Sequence, residues 1–278
     1  MTTTQNKHRS TRLMLPILAI AALLPLAASA LPASAATARP GMTGTCDTTP
    51  VFIGLHGMAE GPSSTIPAIS PELESFDTDQ NAISGAVLND PVSYPTVYPN
   101  AWSVATTLFP ALSQGEAALQ AEIMRYTAGC SAAQDKVALV GYSMGAWVIN
   151  KWIVDHRPEW NMIKAVVLYG DPCWVYGNDE GLAREFPLLS YGCMPARDYP
   201  FPLAGGTTAN PFPVQSWTMP RDPVAGSGWG GAGNLLDATQ QLAAAVNCSD
   251  PAICSHLDYT GSTEIYEGAQ FVVSQLAG

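Results

Sequence analysis

Residues 136–154 read KVALVGYSMGAWVINKWIV: an apolar run, a turn bracketed by glycines, and a run of helical period. Few architectures accommodate that order. A short β-branched apolar run is a strand buried on both faces, and a strand feeding directly into a helix belongs to a parallel sheet covered by its own crossovers. The rest of the chain continues the alternation. Pro50–Leu55 (PVFIGL) reads as a buried strand followed by a loop that opens His56-Gly57, and Asp90–Tyr98 as a β-prone segment broken by prolines. Leu112–Thr127 carries helix formers at a period near 3.6, and Gly129 stops it. Ala146–Val154 is a second helix, Ile163–Tyr169 (IKAVVLY) and Val214–Met219 (VQSWTM) are further core strands, and Ser262–Leu276 is a closing helix. The expected fold class is α/β, with a central, mainly parallel sheet and helices on both faces.

The first 35 residues stand apart from this pattern. Lys7, Arg9 and Arg12 precede an almost unbroken apolar run from Leu13 to Leu26, followed by Ala28-Ser29-Ala30 and Ala33-Ser34-Ala35. A positive region, an apolar region and small-residue cleavage signals in that order form a secretory signal peptide, and the apolar run is short for a bilayer span. A retained membrane anchor is the disfavoured alternative. The expectation is a leader at 1–35 and a single domain at 36–278, exported and without stable membrane insertion. Within that domain, residues 172–213 are rich in Gly, Pro and aromatics and lack periodicity, and they read as a long loop insertion forming a substrate-facing wall or partial lid.

Charge and cysteine usage narrow the partners. The chain carries 12 basic and 23 acidic residues; without the leader nine basic residues remain against 23 acidic ones, a net −14. Such a surface argues against nucleic acid and against docking to anionic lipid. All six cysteines (Cys46, Cys130, Cys173, Cys193, Cys248, Cys254) follow the leader. An even number in an oxidising compartment reads as three disulfides, with about 15 pairings open. Metal ligation is the weaker reading, because C-x-x-C and H-E-x-x-H are both absent from the sequence.

Gly141-Tyr142-Ser143-Met144-Gly145, placed between strand and helix, is a nucleophile elbow. Its glycines permit the sharp turn that brings the serine Oγ into the open, and the helix N-terminus behind it favours developing negative charge. An idle serine in a glycine-rich turn is the plainer alternative, and the strand-to-helix context argues against it. A serine nucleophile needs a base, and beyond the leader only His56, His156 and His256 are present. His156 lies about 13 residues along the helix, roughly 20 Å away. His56 lies in the loop where such folds place oxyanion donors. His256 comes last, in the chain order Ser…Asp…His.

Three aspartates compete as its partner: Asp222 after VQSWTM, then Asp250 between Cys248 and Cys254, then Asp171 at the end of IKAVVLY. Each is also a natural turn former. The backbone amides of Met144 and Met58 are the expected oxyanion donors. Tyr142, beside the nucleophile, and His56 are expected to contact substrate.

On these residues the chain resembles the cutinase family of secreted serine esterases, over residues 46–276. The glycine loop ending in Glu60, Tyr94-Pro95, the elbow Gly141–Gly145 and His256-Leu257-Asp258-Tyr259 occur in that family's order. The resemblance implies an α/β-hydrolase fold, acyl transfer on a carboxylic ester with no cofactor, and Asp222 as the acid beside Ser143 and His256. It also implies a Cys46–Cys130 bridge. Cys173–Cys193 and Cys248–Cys254 are then paired as nearest remaining partners. Three departures favour the esterase class over cutin as the substrate. Cys248 and Cys254 lie between Asp222 and His256 rather than around the acid, Met58 stands where many members have serine or threonine, and the 172–213 loop is long. More distant similarity to lysin B and PE-PPE esterases implies, as a rival, a lipid or cell-envelope esterase for long acyl chains. A non-catalytic surface protein on a hydrolase scaffold is the alternative from another class.

Overall fold

The β-branched apolar runs collect into one sheet. In the computed structural model of the chain, β1 (Val51–Leu55), β2 (Leu88–Pro91), β3 (Val137–Tyr142), β4 (Ile163–Tyr169) and β7 (Val214–Trp217) pair in parallel, in the order β2-β1-β3-β4-β7. Two short strands, β5 (Val175–Tyr176) and β6 (Asp179–Glu180), form a separate antiparallel ladder. The helices are α1 (Ala101–Thr127), α2 (Met144–Asp155) and α3 (Thr263–Leu276). The structure describes residues 46, 48–58, 60, 75–79, 88–95, 97, 101–131, 134, 136–173, 175–176, 179–180, 193, 214–218, 222, 224–225 and 256–277. The leader, Asp250, the Cys248–Cys254 pair and most of the 172–213 loop lie outside these residues.

Successive strand residues feed opposite cores, as the two-residue period of a strand requires. Val51, Ile53 and Leu55 of β1, Val137 and Leu139 of β3, and Val166 and Leu168 of β4 pack with Leu112, Leu119 and Ile123 of α1 and Trp147 and Trp152 of α2. Phe52, Ala138, Val140, Ala165, Val167 and Tyr169 face the other way and pack with Ile265, Ala269 and Val272 of α3. Helices thus cover both faces. Register confirms the pattern at its one irregularity: Val137 pairs with Ile163 but Ala138 with Ala165. Lys164 is the extra residue of a bulge there, which takes its charge out of the buried alternation.

Two element boundaries differ from the periodicity. Helix α1 starts at Ala101 rather than Leu112 and runs through Pro110. A proline inside a helix forfeits a backbone hydrogen bond and strains the preceding turn; burial of Leu108, Ala111 and Leu112 in the core offsets that loss. Strand β2 ends at Pro91, earlier than the expected Asp90–Tyr98 segment. It pairs only with β1, an edge position where a proline is tolerated.

This order positions the site. From β1 the chain passes to β2 on one side, and from β3 to β4 on the other. Connections that diverge in this way open a crevice beyond the carboxyl ends of the two strands. The loop from His56 and the turn at Ser143 both emerge there.

Candidate active site

Ser143 joins β3 to α2 with φ 52° and ψ −115°, and is the only non-glycine residue with positive φ among the described residues. Such a conformation costs on the order of 1–3 kcal/mol and persists only where its surroundings enforce it. Here the Ser143 amide donates to the Tyr169 carbonyl at 2.8 Å, tying the turn to the end of β4. On the other side the backbone approach is too close for any side chain at 145: a Cβ on Gly145 would lie 2.1 Å from the Leu55 carbonyl oxygen. The first turn of α2 therefore sits directly against the carboxyl end of β1.

Ser143 is also the N-cap of α2, yet its side chain makes no capping bond. A serine in this position usually accepts a hydrogen bond from a first-turn amide on its side-chain oxygen. Here Oγ lies 2.9 Å from Nε2 of His256 instead. The N-terminal amides of α2 receive no cap from it and keep the partial positive charge of a helix start.

His256 precedes α3 and is buried, with Nδ1 at 2.9 and 3.0 Å from the two carboxylate oxygens of Asp222. With Nδ1–H donating to that carboxylate, Nε2 is left to accept from the serine hydroxyl. The carboxylate is fully engaged: Oδ1 accepts from the amides of Val224 (2.8 Å) and Ala225 (3.2 Å), and Oδ2 from the Tyr259 hydroxyl (2.7 Å). Burial alone would push this carboxyl up. The charge of His256 and the hydrogen bonds from His256, Tyr259 and Val224 outweigh it and hold Asp222 below the ordinary carboxylate value. Ser143, His256 and Asp222 thus form one unbroken hydrogen-bonded chain, contributed by the ends of β3 and β7 and the segment before α3.

The Tyr142 phenol donates to the His256 carbonyl at 2.6 Å, and its ring stacks near the imidazole with centroids 5.3 Å apart. Tyr142 thus holds the histidine from below. His56 donates from Nδ1 to the Gly57 carbonyl at 2.8 Å and stacks on Tyr94 at 4.1 Å, while the Tyr94 hydroxyl donates to the His56 carbonyl. Burial holds its imidazole below the usual value, against the opposing backbone bonds to Gly57 and Tyr94. The Gly57 amide donates to Glu60 at 2.6 Å, closing the loop after β1. Met58 and Met144 bury their side chains and can offer only backbone.

Asp171 accepts from the Asn150 amide (2.9 Å) and the Cys173 N–H (2.8 Å), the turn-forming role of an Asx residue. His156 lies at the far end of α2, 3.1 Å from Glu116. Disulfides join Cys46 to Cys130 and Cys173 to Cys193.

Two residues at the site carried no role in the sequence reading. Tyr259 belongs to the quoted His256–Tyr259 segment, but nothing local marks its hydroxyl as a partner of a carboxylate distant in sequence. Gly170 follows β4 with φ +56°, and a Cβ there would lie 2.7 Å from His256 Cε1. It is the floor on which the imidazole rests.

No family model and no curated protein sequence matches this chain. Among solved structures it is similar to a cutinase-like protein from Cryptococcus sp., at 17% identity over 84% of this chain and 98% of that one, with a TM-score of 0.54. It is also similar to an acetyl xylan esterase, at 15% identity over 84% and 100% of the two chains (TM-score 0.49). A third likeness is to lysin B from Mycobacteriophage D29, at 16% identity over 81% and 90% (TM-score 0.43). The parallel sheet, its helices on both faces and the strand-to-helix turn at Ser143 give this chain the α/β-hydrolase fold in the arrangement of the cutinase-like protein.

Proposed function

We propose that this chain is a secreted serine esterase that hydrolyses carboxylic esters through an acyl-enzyme on Ser143. The observation that carries the reading is the unbroken Ser143–His256–Asp222 chain at the carboxyl edge of the sheet. His256 takes the hydroxyl proton as Ser143 Oγ bonds to the ester carbonyl carbon, and then returns that proton to the departing alcohol oxygen. Asp222 holds the imidazole in the tautomer that leaves Nε2 free to accept. The negative charge formed on the carbonyl oxygen falls at the start of α2, where the amides of Met144 and of Met58 on the adjoining loop are assigned as donors. Water, deprotonated by His256, then attacks the acyl carbon, and His256 passes that proton to Ser143 Oγ as the acyl–oxygen bond breaks. No step calls for a metal or an organic cofactor.

Export is supported by the leader at 1–35 and by two disulfides within the domain. The cutinase-like protein and the acetyl xylan esterase carry names consistent with ester substrates. The test is turnover of esters of increasing acyl length by the purified mature protein, with Ser143→Ala as control. The reading requires hydrolysis that Ser143→Ala abolishes. Equal turnover by both proteins, or none by the parent on any ester, would overturn it.

A further inference from the structure

Asp222 receives more than its histidine. Tyr259, fully buried, donates its hydroxyl to Oδ2 at 2.7 Å, and that oxygen also lies 3.0 Å from Nδ1 of His256. A phenol and an imidazole therefore both reach one carboxylate oxygen. The geometry is not an accident of loose packing. The Tyr259 ring is wedged among Tyr142 (centroids 5.8 Å), Tyr169 (6.0 Å) and His256 (6.4 Å), and it stands three residues after His256 on the same turn. One short segment thus supplies both the imidazole and the hydroxyl that meet the acid.

We propose that Tyr259 is a positioning residue of this site, whose hydroxyl sets the orientation and the basicity of the Asp222 carboxylate and so the readiness of His256 to act as base. The inference rests on the esterase reading for its kinetic consequence, though not for its physical one. A hydrogen bond to a carboxylate draws charge from its oxygens and weakens their hold on a neighbouring imidazolium. Removing the donor strengthens that hold. The acidic limb of the kcat/KM profile should then move to higher pH.

The other ionisable groups about the pair do not supply this effect. Tyr142, from β3, gives its hydroxyl to the His256 carbonyl rather than to the acid. Tyr169, from β4, donates to the Ile265 carbonyl; burial, Asp79 and Glu264 push its phenol well above the usual value. Asp171, one residue past Gly170, accepts from Asn150 and the Cys173 amide. Ser143 meets the imidazole from its far nitrogen. Tyr259 is the side chain, besides His256, whose hydrogen bond to Asp222 is seen among the described residues.

The experiment compares the parent, Tyr259→Phe, and the parent carrying a ring-fluorinated tyrosine at 259, which is nearly isosteric and a stronger donor. With a short-chain ester, Tyr259→Phe should move the acidic limb of kcat/KM up by roughly half a pH unit and lower kcat more than it raises KM. The fluorinated protein should move the limb down. The downfield proton resonance of the His256–Asp222 bond should shift in opposite directions in the two proteins, and it can be read in a Ser143→Ala background where no turnover is needed. A limb and a resonance that stay in place in both proteins, whatever happens to Tm, would overturn the proposal. If Tyr259→Phe fails to fold, the fluorinated protein decides alone. Loss of the esterase reading would show separately, as turnover that survives Ser143→Ala.

Discussion

Ser143 holds a strained backbone, caps a helix without using its hydroxyl, and directs that hydroxyl to His256. Its chemistry follows from that direction. Ser143→Ala and His256→Ala should each lower ester turnover by on the order of 10³ or more while leaving the fold intact, measured as kcat beside a circular dichroism melt. Asp222→Asn should cost about 10⁴ in kcat, because an amide in place of the carboxylate favours the wrong imidazole tautomer. Asp250→Asn should cost far less; a reversal of that order would move the acid to Asp250. His56 predicts a stability effect. Its folded-state value is depressed below 6.5 by burial, so as pH falls below that figure the unfolded chain takes up a proton more readily than the folded one. Stability from the neutral imidazole is therefore present above about pH 6.5 and lost as pH falls toward the folded-state value. Between about pH 7 and pH 5, the Tm of His56→Asn should fall less than that of the parent.

At the level of elements, the turn after β4 does as much for the site as the elbow after β3. Gly170 accepts a left-handed conformation and leaves no atom between β4 and the imidazole. Gly170→Ala adds a Cβ that must displace His256 or bend the turn. The expected result is a loss of at least about tenfold in kcat with little change in KM, since the substrate's own contacts are untouched. A variant with parental kcat and an unaltered melt would show that the imidazole does not depend on this floor. The elements themselves were legible to different degrees. β1, β3 and β4 stand out because strands buried on both faces must be apolar throughout. The start of α1 does not, because Pro110 and its surroundings are helical through burial rather than propensity.

Across the whole molecule, the Cys46–Cys130 bond ties the start of the domain to the end of α1 over 84 residues of chain. Closing a loop of that length removes unfolded-state entropy worth about 4–5 kcal/mol. The Cys46→Ser, Cys130→Ser double variant should lose roughly 8–15 °C in Tm, with kcat nearly unchanged because Cys130 precedes the amino end of β3, opposite the carboxyl end that leads to Ser143. A melt equal to the parent's would mean that the bond constrains nothing the unfolded chain would otherwise explore.

What could be read along the chain was whatever a short window can encode. The elbow is five contiguous residues whose turn is dictated by glycines, and the α/β alternation repeats within each strand and helix. His256 could be singled out by elimination among few histidines and by its place in the chain order. Three decisions needed the folded molecule. Asp222 was preferred over Asp250 and Asp171 on chain order and resemblance, but it is the pairing of β7 beside β4 that carries its loop toward His256. Tyr142 sits next to Ser143 in sequence, and strand alternation turns it into the α3-side core, beneath the histidine. Tyr259 reaches a carboxylate 37 positions away. Local pattern specifies period and turn; which distant polar groups share a buried space follows from sheet order and burial, and these exist only once the chain has packed.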